Sequence, residues 1–94
     1  MSFQITSESS KGSFDFIVEG VTRASMTFSK AGDHLIIIDH TEVDESLKGK
    51  GIGLQLVQEA IAWARTNNKK IIPLCPFAKS VFDKHAEFDD VLST

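Results

Sequence analysis

The sequence predicts an α+β domain: a mixed, mostly antiparallel sheet of about five strands with one main helix and a short C-terminal helix. The first half of the chain alternates apolar and polar residues with the two-residue period of strands. One strong helical pattern then occupies residues 54–66, between two apolar stretches. Strand, helix and strand in this order form a crossover, so we expect the last two strands to be parallel.

Composition places the expected single domain, residues 1–94, in the ordinary globular class, with 41% apolar and 24% charged residues. A net charge of −3 argues against non-specific binding to nucleic acid, which requires a basic surface. The start of the chain does not resemble a signal peptide, and the longest apolar run, 35–38, is too short to cross a membrane. The single cysteine excludes an intramolecular disulfide, so we expect a cytoplasmic protein. From the charge and the short apolar runs, we expect neither nucleic-acid nor membrane partners.

Four strand patterns precede the helix. Residues 3–5 alternate weakly, whereas 14–18 and 22–29 alternate clearly around a glycine turn, which predicts an antiparallel hairpin. The fourth candidate, 34–44, is apolar on both faces across its first half, so we expect a central strand that is covered on both sides.

The last third of the chain contains the helix stop, one strand and one short helix. Asn67 and Asn68 are expected to end the main helix, because asparagine tolerates the left-handed conformation. A short buried strand is expected at 70–74. Pro76 favours the start of a helix, and about two helical turns are expected over 78–85.

The chain is organised around residues 47–54, where three glycines alternate with lysines directly before the helix. A glycine-rich turn at a helix start directs unpaired backbone N–H groups towards one point, and the helix dipole adds positive charge there. Lys48 and Lys50 would add full charges, and glycines lacking a Cβ would let a ligand approach the backbone. This pattern predicts a receptacle for phosphate oxygens.

Two well-known phosphate-binding loops do not fit this stretch. A Walker loop requires four residues between its first glycine and a Gly-Lys-Ser/Thr end, and no such string occurs. A dinucleotide fingerprint requires Gly-x-Gly-x-x-Gly, and Leu54 stands where its third glycine would be. The remaining interpretation is a loop for the pyrophosphate arm of coenzyme A (CoA).

The segment Lys48-Gly49-Lys50-Gly51-Ile52-Gly53 resembles the acetyl-CoA signature of the GNAT superfamily of N-acetyltransferases, Gln/Arg-x-x-Gly-x-Gly/Ala. Lys48 stands where the signature has glutamine or arginine. Lysine keeps the positive charge of arginine but lacks its planar, two-pronged hydrogen-bonding geometry. Further similarity, at 40–43, 71–77 and 85–88, is typical of small single-domain members, the YidJ-like or N-acetyltransferase-domain-containing branch.

The resemblance implies a minimal acyl-CoA N-acyltransferase fold, with acetyl-CoA as cosubstrate. It implies as acceptor an unidentified amine, such as a protein lysine or N-terminus. Its implied cofactor-binding residues are Thr41, Val43, Lys48, Gly49, Lys50, Gly51, Ile52, Gly53 and Leu54.

Three residues are candidates for catalysis, since acyl transfer to an amine needs a positioned thioester and a proton acceptor. Cys75 precedes Pro76 and is expected at a helix N-cap, where the dipole would stabilise a thiolate. Its sulfur could accept the acetyl group, line the pocket or simply pack as a small apolar group. His40 and Glu42 share a strand face and either could be the base, or they could be ordinary exposed strand residues. No metal-ligand spacing occurs, so no metal is expected.

The function expected from the sequence is transfer of acetyl from acetyl-CoA to an amine. A non-catalytic CoA or acyl-CoA binding module is the first alternative, because the elements that shape acceptor sites in larger GNAT members would be missing. A protein-interaction domain with a vestigial phosphate loop is the second.

Overall fold

The computed structural model describes residues 1–93, so Thr94, the end of the expected domain, lies outside the described part. Its strands follow one another across one sheet in chain order. The first four are antiparallel neighbours, and the fourth and fifth are parallel, which confirms the α+β class and the crossover. The elements are β1 (Ser2–Ser7), β2 (Lys11–Val18), β3 (Val21–Lys30), β4 (Leu35–Val43), a first 3₁₀ helix (Glu45–Leu47), α1 (Ile52–Thr66), β5 (Lys70–Pro73), α2 (Pro76–Lys84) and a second 3₁₀ helix (Ala86–Val91).

The core lies between one sheet face and the two α-helices. The alternation in β2 and β3 places Phe14, Met26 and Phe28 on this face, where all three are buried. The apolar face of α1 closes the core from above, and Trp63 packs its ring 5.8 Å from Phe14 and 5.7 Å from Phe28. The buried residues of α1 are Ile52, Leu56, Val57, Ala60, Ile61 and Ala64. None of the helices in residues 1–93 is long and apolar enough to cross a bilayer.

The prediction that the fourth strand is covered on both sides is wrong. Ile36 and Ile38 of β4 face the helices and are buried, but Leu35 and Ile37 on the other face are only half-buried. Both α-helices pack on the same side, since α1 and α2 contact each other and the same strands. We call the other side, which carries Asp15, Leu35 and Ile37, the open face.

A β-bulge in β4 decides which side chains point towards the helices. Thr27 of β3 pairs with His40, whereas Phe28 pairs with Ile38, so Asp39 is an extra residue in β4. Regular alternation from Ile38 would turn residue 40 towards the helices and residue 41 away. The extra residue reverses this order, so Thr41 and Val43 face the helices, and His40 and Glu42 lie on the open face.

Strands β4 and β5 separate beyond the bulge. Their parallel pairing extends only from Leu35 opposite Lys70 to Ile38 opposite Pro73. The backbone N–H of Cys75 then donates to the carbonyl of Ile38 at 3.0 Å, and the chain turns away into α2. The edge of β4 over residues 39–43 is therefore not paired with β5.

The C-terminal part departs from the sequence expectations in two ways. The fifth strand ends at Pro73, and of its residues only Ile71 is fully buried. The second 3₁₀ helix was not predicted. A two-pronged ion pair from Arg65 of α1 to Asp90 joins it to α1, with N···O distances of 2.9 and 2.8 Å, and its Val91 is buried in the core. Hydrogen bonds from Arg65 lower the pKa of Asp90, and the same contact raises the pKa of Arg65.

Candidate functional site

A cavity of about 440 Å³ opens where the edge of β4, the glycine loop and the starts of α1 and α2 meet. Eight of the nine residues predicted to bind a cofactor line it. The ninth, Lys50, is not among its lining residues, although its neighbours on both sides are. The lining consists of Thr41, Val43, Leu47, Lys48, Gly49, Gly51, Ile52, Gly53, Leu54 and Phe77.

Hydrogen bonds fold the loop before α1 into consecutive tight turns. Asp44 caps the first 3₁₀ helix, because its Oδ2 accepts from the backbone N–H of Ser46 at 3.1 Å and from the Ser46 hydroxyl. These two bonds, the hydroxyl first, lower the pKa of Asp44. The N–H of Lys50 donates to the carbonyl of Leu47 at 3.2 Å, which closes the next turn.

The three glycines of the loop are required for two different reasons. Gly49 and Gly51 have φ angles of +82° and +75°, which L side chains rarely adopt, and an added Cβ would meet open space at both. Gly53 has an ordinary helical conformation, but a Cβ there would stand 2.8 Å from Cζ of Phe77. The close approach at Gly53 is therefore to a ring of the protein itself, and backbone conformation explains the other two glycines. Approach of a ligand to the backbone of these glycines stays a prediction.

The start of α1 presents unpaired amides to this cavity. Gly51 is the N-cap, and the first helical bond runs from the N–H of Gln55 to its carbonyl at 3.1 Å. The N–H groups of Ile52, Gly53 and Leu54 therefore have no partner within the helix. Gly51 at the N-cap has no side chain that could accept from these N–H groups, and the first turn of α1 contains no acidic residue. The positive end of the helix dipole thus faces the cavity unopposed.

Lys48 is the one ionisable residue that lines the cavity in the described part of the chain. Its ammonium lies 3.0 Å from the carboxylate of Glu45, one turn earlier, and both side chains are exposed. Such an exposed pair is worth little in water, so the ammonium can exchange its partner readily. The helix start and Lys48 together form a site suited to an anion of phosphate type.

A comparison with known proteins identifies the family. The family model described as GCN5-related N-acetyltransferase matches residues 13–91. The chain belongs to the GCN5-related N-acetyltransferase (GNAT) family.

Solved structures agree with this GNAT assignment. A candidate GCN5-like N-acetyltransferase from Staphylococcus aureus is 33% identical, with a TM-score of 0.70, over 96% of this chain and 87% of that chain. A search of curated proteins gave no match.

Two more distant structures share the fold alone. One is a ribosomal-protein-alanine N-acetyltransferase from Brucella melitensis, with 17% identity and a TM-score of 0.61 over 93% of this chain and 64% of that one. The other is an aminoglycoside acetyltransferase from an uncultured soil metagenomic sample in complex with sisomicin, with 15% identity and a TM-score of 0.65 over 93% and 59%.

Cys75 lies behind the cavity of this GNAT domain. It is the N-cap of α2, as its position before Pro76 predicted. Its side chain is buried and its Sγ lies 3.4 Å from the hydroxyl of Thr41, which does line the cavity. The thiol therefore contacts a residue that lines the cavity without lining the cavity itself.

His40 and Glu42 lie together on the open face, on the opposite side of β4 from the thiol. Nε2 of His40 is 3.1 Å from Oε1 of Glu42, and both side chains are largely exposed. Glu42 lines a second cavity of about 570 Å³, which shares Thr41, Val43 and Lys48 with the first. The two cavities of the GNAT domain thus meet at the end of β4.

Two lining residues, Leu47 and Phe77, were not predicted as site residues. Leu47 begins the glycine-rich stretch 47–54, in which the glycines and lysines carry the signal for a phosphate loop and an apolar residue carries none. Phe77 lies 24 positions beyond Gly53 in the sequence, and only the crossover brings the two together. The one signal for Phe77 is its place after Pro76, in a helix start next to a strand end.

Proposed function

We propose that this GNAT domain binds acetyl-CoA in the 440 Å³ cavity and transfers the acetyl group to an amine. One observation carries the proposal: the unpaired amides of α1, the positive-φ glycines and Lys48 all border a single cavity. The amides of residues 52–54 and Lys48 would hold the pyrophosphate, and Phe77 with the open edge of β4 would hold the pantetheine arm. Bound acetyl-CoA would supply an activated thioester.

The paired side chains of His40 and Glu42 are our proposal for the base that takes the amine proton. They support each other through a 3.1 Å contact, and Glu42 borders the cavity that adjoins the coenzyme site. The acceptor would enter through this second cavity, from the open face. Thr41 and Cys75 would form the inner wall of the site.

A covalent route through Cys75 is the alternative mechanism, because its sulfur lies 3.4 Å from the hydroxyl of Thr41, a residue that lines the cavity. In that route the thiolate displaces CoA from the thioester, and the acetyl group then passes to the amine. Intact mass spectrometry after incubation with acetyl-CoA should show an increase of about 42 Da, one acetyl group, if the thiol is acylated. An unmodified mass together with full amine acetylation by Cys75→Ser would exclude this route.

A non-catalytic CoA-binding module is the second candidate function. The supporting observation is that no carboxylate or imidazole within residues 1–93 lines the coenzyme cavity itself. Release of free CoA with a panel of amines separates the two functions, since a binding module would bind the coenzyme without turnover. The single-domain organisation over 1–94 and a cytoplasmic location stay predictions.

Thermal unfolding with acetyl-CoA tests the binding proposal. At about 100 times its dissociation constant, acetyl-CoA should add roughly 2.7 kcal/mol to the free energy of unfolding. Lys48→Gln should weaken binding, because it removes a charge-assisted contact. Lys79→Gln is the matched control, since its ammonium pairs with Asp83 at 3.1 Å with nearly the same exposure as Lys48, 65% against 63%. Absence of any stabilisation of the wild type would favour the protein-interaction alternative.

A further inference from the structure

The outer edge of β1 is an unprotected sheet edge. All six residues of β1 are uncharged, whereas each of the other four strands contains charged residues. Its pairing with β2 is unbroken over six residue pairs, without a bulge. Proteins usually protect edge strands with charges, proline, bulges or a covering segment, because the free backbone groups invite another strand. Within residues 1–93, β1 has none of these.

The opposite edge of the same sheet is protected. Strand β5 begins with Lys70 and ends with Pro73, which lacks a backbone N–H. Leu92 forms a bridge with Ile71 on its outer side, and the N–H of Ser93 donates to the carbonyl of Ile71 at 2.8 Å. The contrast between the two edges leaves β1 as the edge available for pairing.

Apolar surface accompanies the free backbone of β1 on the helix side. Phe3 is half-buried, with its ring 4.9 Å from that of Phe16, and Ile5 is 44% exposed. A shallow hollow of about 220 Å³ lies beside Ile5 and reaches Ala62 and Trp63 of α1. A strand added outside β1 would therefore gain both backbone hydrogen bonds and apolar contacts.

We propose that β1 pairs antiparallel with β1 of a second copy of this chain, so that two sheets become one continuous sheet. A two-fold axis perpendicular to the sheet places one residue opposite itself and keeps both helix layers on the same side. If Gln4 stands opposite Gln4 of the other copy, Phe3 of each copy stands opposite Ile5 of the other. The symmetry thus creates two equivalent Phe3–Ile5 pairs, and both lie on the helix side of the sheet. Because β1 carries no charged residue, self-pairing brings no like charges of the two strands together. The partner that this edge fits is therefore its own copy.

Sedimentation at increasing concentration tests this proposal on the full chain. The wild type should form a dimer in a concentration-dependent manner, and Ile5→Lys should raise the dimer dissociation constant at least about tenfold, because each lysine would replace an apolar contact with Phe3 of the other copy and the two ammonium groups would lie diagonally across the pairing. Val21→Lys is the matched control, since Val21 is a similar β-branched residue with 47% exposure at the start of β3, away from this edge. Circular dichroism verifies folding, and Gln4→Lys, on the open face, replaces Ile5→Lys if the latter unfolds.

A disulfide cross-link tests the register. Residues directly opposite in antiparallel strands have Cα atoms about 4.5–5.5 Å apart, which a disulfide can span. Gln4→Cys should therefore form a covalent dimer with oxidised glutathione, and Val21→Cys should not. A wild type that stays monomeric up to about 1 mM, where even weak complexes appear, would overturn the proposal. The proposal would also be overturned if Ile5→Lys and Val21→Lys raised the dimer dissociation constant equally. A wild-type dimer that Gln4→Cys fails to cross-link would overturn it as well.

Discussion

The ring of Phe77 in α2 lies against the backbone of Gly53 in α1, so close that a Cβ at Gly53 would stand 2.8 Å from its Cζ. This contact joins the starts of the two α-helices and forms one side of the 440 Å³ cavity, the proposed coenzyme site. Phe77 is 41% exposed, so its ring has room to turn outwards if it is displaced. The position of this wall therefore depends on a glycine that faces it.

Gly53→Ala should displace the Phe77 ring and weaken binding of acetyl-CoA by several-fold, while the protein stays folded. Alanine favours a helix over glycine by roughly 0.5–1 kcal/mol, which offsets part of the crowding. Titration calorimetry of Gly53→Ala, Phe77→Ala and the double variant measures the coupling. Once the ring is gone, Gly53→Ala should have little further effect, and fully additive losses would contradict this coupling.

Gly49→Ala and Gly51→Ala should each lower both stability and coenzyme affinity. An L residue in the left-handed region costs roughly 1–2 kcal/mol, and relaxation of that strain would reshape the cavity. Gly20→Ala and Gly32→Ala are matched controls, because both glycines have similar φ angles, +78° and +81°, with open space around them and lie outside the cavity. Chemical unfolding should show comparable losses in all four variants, and only the first two should bind acetyl-CoA more weakly. If all four variants bound acetyl-CoA with equal affinity, the glycine loop would not be part of the coenzyme site.

His40→Ala and Glu42→Gln should each lower kcat by about 10²–10⁴, the usual contribution of a general base, with little change in acetyl-CoA binding. Binding should change little because both side chains lie on the open face and neither lines the 440 Å³ cavity. His85→Ala is the control, because His85 makes a similar contact with Glu87, at 3.3 Å, elsewhere on the surface. Steady-state kinetics with a reactive amine decides the matter, and unchanged kcat in the two strand variants would leave Cys75 as the remaining candidate.

Asp90→Asn should destabilise the protein at neutral pH and have no effect in strong acid. Because Arg65 lowers the pKa of Asp90 in the folded protein, the carboxylate stabilises the fold above its ordinary pKa of 3.8. That stabilisation disappears as the pH falls through the lowered value, where wild type and variant become alike. Urea unfolding across this pH range provides the measurement, with Asp83→Asn as control. A difference that persisted in acid would attribute the effect to packing rather than to charge.

Much of the secondary structure and most of the cavity lining could be predicted because their signals are local. Apolar residues two apart define β2 and β3, and the spacing in 54–66 defines α1. The glycine and lysine pattern before α1 predicts a phosphate loop, because the conformation of such a short segment depends on its own residues. The prediction that β4 is buried on both sides was wrong. Apolar residues on both faces of a strand indicate a tendency to be buried, but they do not indicate whether helices cover one face of the sheet or both.

By itself, the sequence determined the elements, their order, the position of the glycine loop and the single thiol before Pro76. The tertiary structure decided the rest: which face of the sheet stays open, that Phe77 meets Gly53, and that Arg65 holds Asp90. It also decided, through one extra residue at Asp39, that Thr41 points to the cavity and His40 away from it. The physical reason is that backbone preferences act over a few neighbouring residues, whereas strand register and packing depend on partners that the fold brings together from distant parts of the chain.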